Sequence, residues 1–211
     1  MRNFARPATL TLLPLLTLAA PITGLRADPA PKDLGIEVAG SAWHHASGKP
    51  LDLATDPAGK HPGQVAKIPP DLAVFFLDGA AASGPNDAVL TSDVLLEGGD
   101  FHGGLVTTEK GPHQGQGYFY SLDPQGNLSI GWRGGFTGPW EWISSSKVAL
   151  PEGWNKFKFE VENDGTIQLY LNGDLMLEKQ DTRLPLHFDQ VSFQSNGSGQ
   201  KYVAAVTLAN E

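Results

Sequence analysis

The 211-residue sequence contains no cysteine, so no disulfide bond can stabilise its fold. It has no block of five or more like charges, and its net charge is −8 at pH 7. An acidic chain lacks the excess of Lys and Arg that contacts to a phosphate backbone require, so we expect no nucleic-acid partner. Beyond its first residues, no stretch shows the 3.6-residue apolar spacing of a sustained amphipathic helix.

Long hydrophobic runs are also missing, with one short exception. The segment Ala8–Ala20 is apolar and follows the basic residues Arg2 and Arg6. It is too short to cross a bilayer as a stable helix, so it is typical of a secretory signal peptide rather than a membrane span. We therefore expect a signal peptide at 1–27, a Pro-rich linker at 28–33 and a single domain at 34–211, in a protein that is secreted or periplasmic after signal-peptide removal.

The segment Gly153–Lys179 predicts three antiparallel strands. Apolar and polar residues alternate along Phe157–Val161 and again along Ile167–Leu171, which is the period of a strand with one buried face. Asp164-Gly165 and Asn172-Gly173 supply the positive backbone angles of two-residue hairpin turns. With 25 Gly and 16 Pro in the chain, turn signals recur along it, and about ten to twelve strands are indicated. The expected fold is all-β, a two-sheet antiparallel jelly-roll sandwich.

Two blocks of the sequence carry a family resemblance. They are Asp87–Trp132, with its turn Asp123–Asn127, and the segment Gly153–Lys179, with Trp154-Asn155 and Leu171–Gly173. Both resemble the concanavalin A-like lectin/glucanase superfamily, and within it they are most similar to the 3-keto-disaccharide hydrolase domain of unknown function and to laminin G-like jelly rolls.

That resemblance implies a carbohydrate-binding module whose partner is a carbohydrate or a related extracellular polymer. A saccharide-acting hydrolase is one alternative, and an envelope structural or protein-interaction module is another, because one fold hosts many functions. Glucanases of this superfamily carry three acidic residues on one strand, spaced about two apart. The sequence has no such run, so an enzyme on this chain would act without that acidic triad.

Trp132, Arg133, Trp140 and Trp142 lie within eleven residues and form the first candidate ligand-binding group. Aromatic faces stack on sugar rings, and a neighbouring charged group can hydrogen-bond hydroxyls. Trp140 and Trp142 are two residues apart, so on a strand both side chains point to the same side. The alternative is that one or two of these tryptophans fill the core.

Trp43 and His44 complete the predicted ligand-binding set, in an irregular N-terminal region. The adjacent His44 and His45 would face opposite ways on a strand, and their spacing matches no zinc signature, so no transition-metal site is predicted. Calcium is the one cofactor left open. It could bind through loop acids that are equally explained as turn residues, namely Asp78, Asp87 and Asp164.

His102, Glu109 and His113 are the candidate catalytic residues. A histidine and a carboxylate close together can perform general acid–base chemistry when their pKa values are suitably tuned. Glycines flank them on both sides, for example Gly103-Gly104. Such glycines either allow a ligand to approach the backbone closely or turn the chain.

Overall fold

The computed structural model describes the strands of the protein and most of their connections. The described residues are 32–33, 43–45, 52–68, 70, 73–76, 87–107, 116–135, 138–181, 183, 188 and 190–210. Within these ranges the chain forms β-strands and no α-helix. No helix among them is therefore long and apolar enough to cross a membrane. The all-β class predicted from the sequence is confirmed.

The strands are numbered here in chain order. The first eight are β1 (Lys32–Asp33), β2 (Trp43–His45), β3 (Asp52–Thr55), β4 (Gln64–Ile68), β5 (Ala73–Phe76), β6 (Ala88–Leu96), β7 (Asp100–Thr107) and β8 (Gln116–Leu122). The others are β9 (Asn127–Gly134), β10 (Trp140–Lys147), β11 (Trp154–Val161), β12 (Thr166–Leu171), β13 (Asp174–Gln180), β14 (Gln190–Asn196) and β15 (Lys201–Asn210).

These strands form two antiparallel sheets that pack face to face. The eight-stranded sheet has the order β13-β12-β11-β6-β15-β4-β3, and β1 also pairs with β15. The seven-stranded sheet has the order β10-β9-β8-β7-β14-β5-β2. The chain passes from one sheet to the other at several connections, among them the β6–β7 and β14–β15 loops. This is the predicted two-sheet sandwich, and β1 falls at the end of the segment 28–33 that the sequence assigned to a linker.

The strands β11, β12 and β13 confirm the pattern read from Gly153–Lys179. Their two connections differ, however. Asn172 and Gly173 both have positive φ (54° and 97°), as a two-residue hairpin turn of the predicted kind requires. The β11–β12 connection is longer, because the amide of Glu162 donates to the carbonyl of Thr166 and only Gly165 has a positive φ there. The prediction of a two-residue turn at Asp164-Gly165 was therefore wrong.

The core lies between the two sheets and is rich in aromatic rings. Tyr120 from the seven-stranded sheet stacks on Phe157 from the eight-stranded sheet, with ring centroids 5.0 Å apart and planes within 10°. The Tyr120 hydroxyl is buried, and it lies 3.1 Å from Ser92 Oγ, which satisfies its hydrogen bonding. Aromatic pairs of this kind add about 0.5–1.5 kcal/mol beyond area burial.

Asp56 fixes the β3–β4 loop against the outer side of the eight-stranded sheet. Its buried carboxylate accepts hydrogen bonds from the amides of Ala58 and His61, both at 2.7 Å, and from Trp154 Nε1 at 2.9 Å. Lys60 Nζ adds an ion pair to Asp93 at 2.9 Å. Burial alone would raise the pKa of Asp56, but these hydrogen bonds to the charged form lower it to about 2.

Candidate functional site

Three aromatic side chains form a platform on the outer side of the seven-stranded sheet. They are Trp140 and Trp142 of β10 and His102 of β7, and together they are called the aromatic platform below. The rings of Trp140 and Trp142 are parallel within 2°, with centroids 5.2 Å apart. His102 lies 4.8 Å from Trp140 at 21°. Trp142 is 52% exposed, so the platform presents part of an indole ring to solvent.

A glycine beneath Trp142 makes room for its ring. Gly131 of β9 pairs with Trp142, and a Cβ atom at position 131 would lie 2.9 Å from Trp142 Cε3. Real Cβ atoms do not approach a ring so closely without displacing it. Phe119 of β8 supports the other indole from below, with its ring edge-on to Trp140 at 5.1 Å. Neighbouring residues of the sheet therefore fix the orientation of both tryptophans.

Arg133 adds a positive charge beside the platform. It is the cross-strand partner of Trp140, it is 9% exposed, and its Cζ lies 4.8 Å from the centre of the Trp140 ring. A guanidinium over an indole face is a cation–π contact, worth about 0.5–2 kcal/mol depending on desolvation. Arg133 Nη1 also donates to Gln194 Oε1 at 2.9 Å.

A chain of hydrogen bonds runs from Arg133 through Gln194 and Asn196 to His102. This chain determines which imidazole nitrogen carries the proton. Arginine can only donate, so the oxygen of Gln194 must face it and the Gln194 amide nitrogen must donate to Asn196 Oδ1 at 3.3 Å. The amide nitrogen of Asn196 is then left to donate to His102 Nε2 at 3.1 Å. A neutral His102 therefore holds its proton on Nδ1, a buried atom with no hydrogen-bond partner among the described residues.

His102 stays neutral at physiological pH. Burial is the main cause, and the charges of Arg133 and Lys201 act in the same direction, so the pKa of His102 falls to about 4. A neutral imidazole stacks on Trp140 as a polar aromatic ring, while its one donor, Nδ1–H, is buried and Nε2 accepts from Asn196. In this state it extends the aromatic surface, and it is not poised to act as a general acid at neutral pH.

The other predicted site residues are placed elsewhere or are not described. Trp132 is on β9 but faces the interior, 7% exposed and 4.8 Å from Tyr118, so it is separate from the platform and fills the core. Strand β2 carries Trp43 and His44 at the opposite edge of the sheet, with five strands between it and β10. Glu109 and His113 lie outside the described residues, as do the side chains of Trp43 and His44.

Two residues of the site were not predicted from the sequence. Gln194 and Asn196 lie two apart on β14 and are half-buried on the same side of the sheet as His102. A polar alternation along β14 was visible in the sequence, but it is equally typical of a solvated strand face. Only the pairing of β14 with β7, across 94 residues of chain, makes them neighbours of His102.

A second concavity lies at one end of the sandwich. It has a volume of about 360 Å³, and its lining contains no aromatic ring. Its residues come from three loops and their flanks: Leu96, Gly98, Gly99, Asp123, Pro124, Gln125, Gly126, Val148, Leu150, Pro151, Glu152 and Gly153. Asp123 is already engaged by the amides of Gln125 and Asn127, both at 2.9 Å. The pocket therefore offers little chemistry of its own.

The loop acids considered for calcium do not meet in one place. Asp87 accepts a hydrogen bond from the amide of Asn163, and Asp164 accepts one from the amide of Thr166, both at 2.8 Å. Asp78 lies outside the described residues. Among those that are described, no three His, Asp or Glu side chains come together as a metal-binding group.

Comparison with known proteins identifies the fold. No family model and no curated protein match the sequence. Solved structures do match. The carbohydrate-binding module CBM66 from Bacillus subtilis is 15% identical, covers 81% of this chain and 96% of its own, and has a TM-score of 0.58. The exoplasmic/lumenal domain of VIP36 in its Ca²⁺/Man-bound form is 10% identical, with 81% and 83% covered and a TM-score of 0.58.

The carbohydrate recognition domain of Emp47p is similar as well, at 10% identity, 80% and 88% coverage and a TM-score of 0.55. The fold is a lectin-type two-sheet sandwich. At these identities the likeness shows the lectin-type fold alone, because unrelated functions share such sandwiches. The lectin-type sandwich fold that the sequence resemblance implied is thus confirmed. The superfamily itself, and within it the likeness to the 3-keto-disaccharide hydrolases and laminin G modules, stays a prediction.

Proposed function

We propose that the protein binds carbohydrate through the aromatic platform on the outer side of its seven-stranded sheet. The observation that carries the proposal is the parallel pair Trp140 and Trp142, one of them 52% exposed, beside a neutral His102 and a guanidinium. Sugar rings present C–H faces that pack on indoles, and their hydroxyls require placed donors and acceptors. The lectin-type fold and its carbohydrate-binding neighbours support the same function.

The geometry assigns different roles to the two tryptophans. Trp142 is the exposed contact surface, and its removal takes away ligand area without opening the core. Trp140 is half-buried between Phe119, His102 and Arg133, so its removal also disturbs the groups beside it. Binding contacts of aromatic anchors are commonly worth about 2 kcal/mol or more, which is about thirtyfold in affinity.

The test is binding of the purified protein to a glycan array and to affinity gels containing soluble polysaccharides, with mannose-terminated oligosaccharides included. Trp142→Ala should lose affinity by about thirtyfold at unchanged thermal stability, and Trp140→Ala should lose affinity together with some stability. Leu175→Ala is the matched control, because Leu175 is 48% exposed on the other sheet and its removal should change neither property. Equal mobility of wild type and all three variants on every polysaccharide would contradict the proposal.

Hydrolysis of saccharides is the second candidate, from the resemblance to 3-keto-disaccharide hydrolases. One observation favours it: a buried imidazole, His102, lies at the edge of a surface suited to sugar rings. Because His102 is not poised as a general acid, Glu109 and His113 would supply the acid–base groups. Turnover of 3-keto-glycosides that disappears in His102→Gln and in Glu109→Gln would support hydrolysis. Turnover that survives replacement of His102, Glu109 and His113 together would exclude this site.

The remaining expectations concern location and partners. We propose secretion to the periplasm or the exterior after removal of 1–27, which N-terminal sequencing of the mature protein would test. An envelope structural or laminin G-like interaction role is the alternative to sugar binding, and pull-down of envelope proteins with unchanged recovery in Trp142→Ala would favour it. A calcium requirement predicts a melting temperature that falls on addition of a chelator.

A further inference from the structure

Lys201 is a fully buried lysine at the end of the sandwich. It is the first residue of β15 and is 0% exposed. Val203, two residues later, belongs to the core, so Lys201 is on the inner side of the eight-stranded sheet. Burying a charge is costly unless partners surround it. The surroundings of this ammonium group therefore need a specific explanation.

Four consecutive backbone carbonyls surround the ammonium group. The three N–H groups of Lys201 Nζ are shared among the oxygens of Asn196 at 3.1 Å, Gly197 at 3.3 Å, Ser198 at 3.4 Å and Gly199 at 3.5 Å. Gly197 and Gly199 have positive φ (72° and 98°), which lets successive carbonyls turn toward one point. Proteins bind hard metal cations with oxygen cages of this kind. Here the cage is filled by the chain's own positive charge.

The β6–β7 loop closes the cage. A Cβ atom at Gly99, in the β6–β7 loop, would lie 2.4 Å from Lys201 Nζ and 2.4 Å from the Ser198 oxygen. Gly99 also has a positive φ of 69°. The β6–β7 and β14–β15 loops therefore meet at this ammonium group, and any side chain at position 99 would displace it.

The cage is connected to the aromatic platform through one residue, Asn196. Asn196 contributes the nearest carbonyl to Lys201, and the side chain of the same residue donates to His102 Nε2 at 3.1 Å. The main chain of Asn196 is thus held by Lys201, while its side chain determines the orientation and the tautomer of His102. Lys201 reaches the candidate site through one intermediate residue.

We propose that Lys201 is a positioning residue for the candidate site: its ammonium group serves as a built-in cation that holds the 196–199 loop and, through Asn196, orients His102 on the aromatic platform. The effect on ligand affinity rests on the proposed function, whereas the effect on His102 does not. Metal removal should accordingly leave the platform unchanged, because the cage holds a covalently attached cation.

The test compares Lys201→Met and Lys201→Ala with Lys179→Met, which removes an exposed lysine from β13 as a charge-matched control. The first readout is the ¹⁵N NMR spectrum of the imidazoles, which reports the tautomer and the pKa of His102. Both Lys201 variants should lose the single Nδ1–H tautomer and raise the pKa of His102, and Lys179→Met should do neither. Affinity for the best glycan ligand of the array should fall about tenfold or more.

Chemical rescue separates the ammonium group from general packing. Lys201→Ala removes the equivalent of n-propylamine, so n-propylammonium chloride should restore the His102 spectrum in that variant, and sodium chloride at equal ionic strength should not. Asn196→Ala is the second variant, because it keeps the main-chain carbonyl that Lys201 needs while removing the contact to His102. It should disturb the tautomer as Lys201→Met does, even if the Lys201 variants fail to fold.

Two results would overturn the proposal. One is a wild-type His102 spectrum in folded Lys201→Met or in Asn196→Ala. The other is a wild-type protein whose His102 signals change on addition of EDTA and return with Ca²⁺, since a bound metal would then do the positioning. A chain that binds no glycan but whose His102 responds as expected would refute the proposed function alone. Glycan binding that is unaffected in folded Lys201 variants with a disturbed His102 would refute the link to affinity.

Discussion

Replacing Gly131 by alanine should displace the Trp142 ring from its present orientation without weakening the fold. The new Cβ would lie 2.9 Å from Trp142 Cε3, and the affected atoms belong to a ring that is 52% exposed and free to turn outward. Turning costs the contact with Trp140, about 0.5–1.5 kcal/mol. Replacing glycine by alanine stabilises the folded protein by about 0.4–1 kcal/mol, because it reduces the conformational entropy of the unfolded chain. The net change in the free energy of unfolding should stay within about 1 kcal/mol.

Gly104 provides the matched contrast on the same side of the sheet. A Cβ there would lie 2.3 Å from Phe119 Cδ1 and 2.6 Å from the carbonyl oxygen of Tyr118. Phe119 is 2% exposed, so neither the ring nor the backbone oxygen has space to move away. Overpacking of this kind costs about 1–3 kcal/mol. Gly104→Ala should therefore be clearly less stable than Gly131→Ala.

Three measurements on the two variants check this reasoning. A change of 1 kcal/mol shifts the melting temperature of a domain of this size by about 2–4 °C. Gly131→Ala should thus melt within about 4 °C of wild type, lose the near-UV circular dichroism of the coupled indoles, and bind glycan more weakly. Gly104→Ala should melt several degrees lower. Equal destabilisation by the two substitutions, or an unchanged indole signal in Gly131→Ala, would refute the packing assigned to Trp142.

Three further predictions concern pH and turn geometry. The pKa of His102, lowered to about 4 by burial beside Arg133 and Lys201, lies below the usual 6.5, so the unfolded state binds more protons between these values. The free energy of unfolding should fall by up to about 3 kcal/mol from pH 6.5 to pH 4, and a His102→Gln variant with the same slope in denaturant titrations would contradict this. The pKa of Asp56, about 2, predicts stabilisation that is present above about pH 4 and lost as pH falls toward 2, so the deficit of Asp56→Asn should shrink on acidification. Asn172→Ala should cost about 1–2 kcal/mol in urea unfolding, because alanine disfavours φ of 54°, and a neutral result would refute that strain.

Local pattern was sufficient to predict the strands but not the direction of their side chains relative to the core. Alternation along β11 and β12 correctly predicted both strands, because the period-two signal is contained within each strand. The same rule correctly placed Trp140 and Trp142 on one side of β10. It could not say which side of the sheet faces the core, since that depends on the partner sheet. Trp132 pairs with Glu141 rather than with Trp140, and so it points inward.

The polar residues of the site could not be predicted from the sequence, for a different reason. Arg133 contacts Gln194 across 61 residues of chain, and His102 contacts Asn196 across 94. No spacing rule connects such pairs, because the order of β7, β14 and β9 in the sheet brings them together. Lys201 was equally inconspicuous: a single lysine at the start of a strand is normally exposed. Its burial follows from a loop whose glycines direct four carbonyls at one point.

Gly103 and Gly104 show how one strand serves both the core and the candidate site. They were interpreted from the sequence as a turn or a ligand approach, but both lie inside β7. A Cβ at Gly103 would lie 2.4 Å from the Tyr120 ring on the inner side, and one at Gly104 would lie 2.3 Å from Phe119 on the outer side. Each glycine therefore accommodates an aromatic ring on its own side of the sheet. A one-residue slip of β8 against β7 would bring one of the two rings against a side chain, Phe119 against Leu105 or Tyr120 against His102, so the glycine pair favours the register that places His102 beside Trp140.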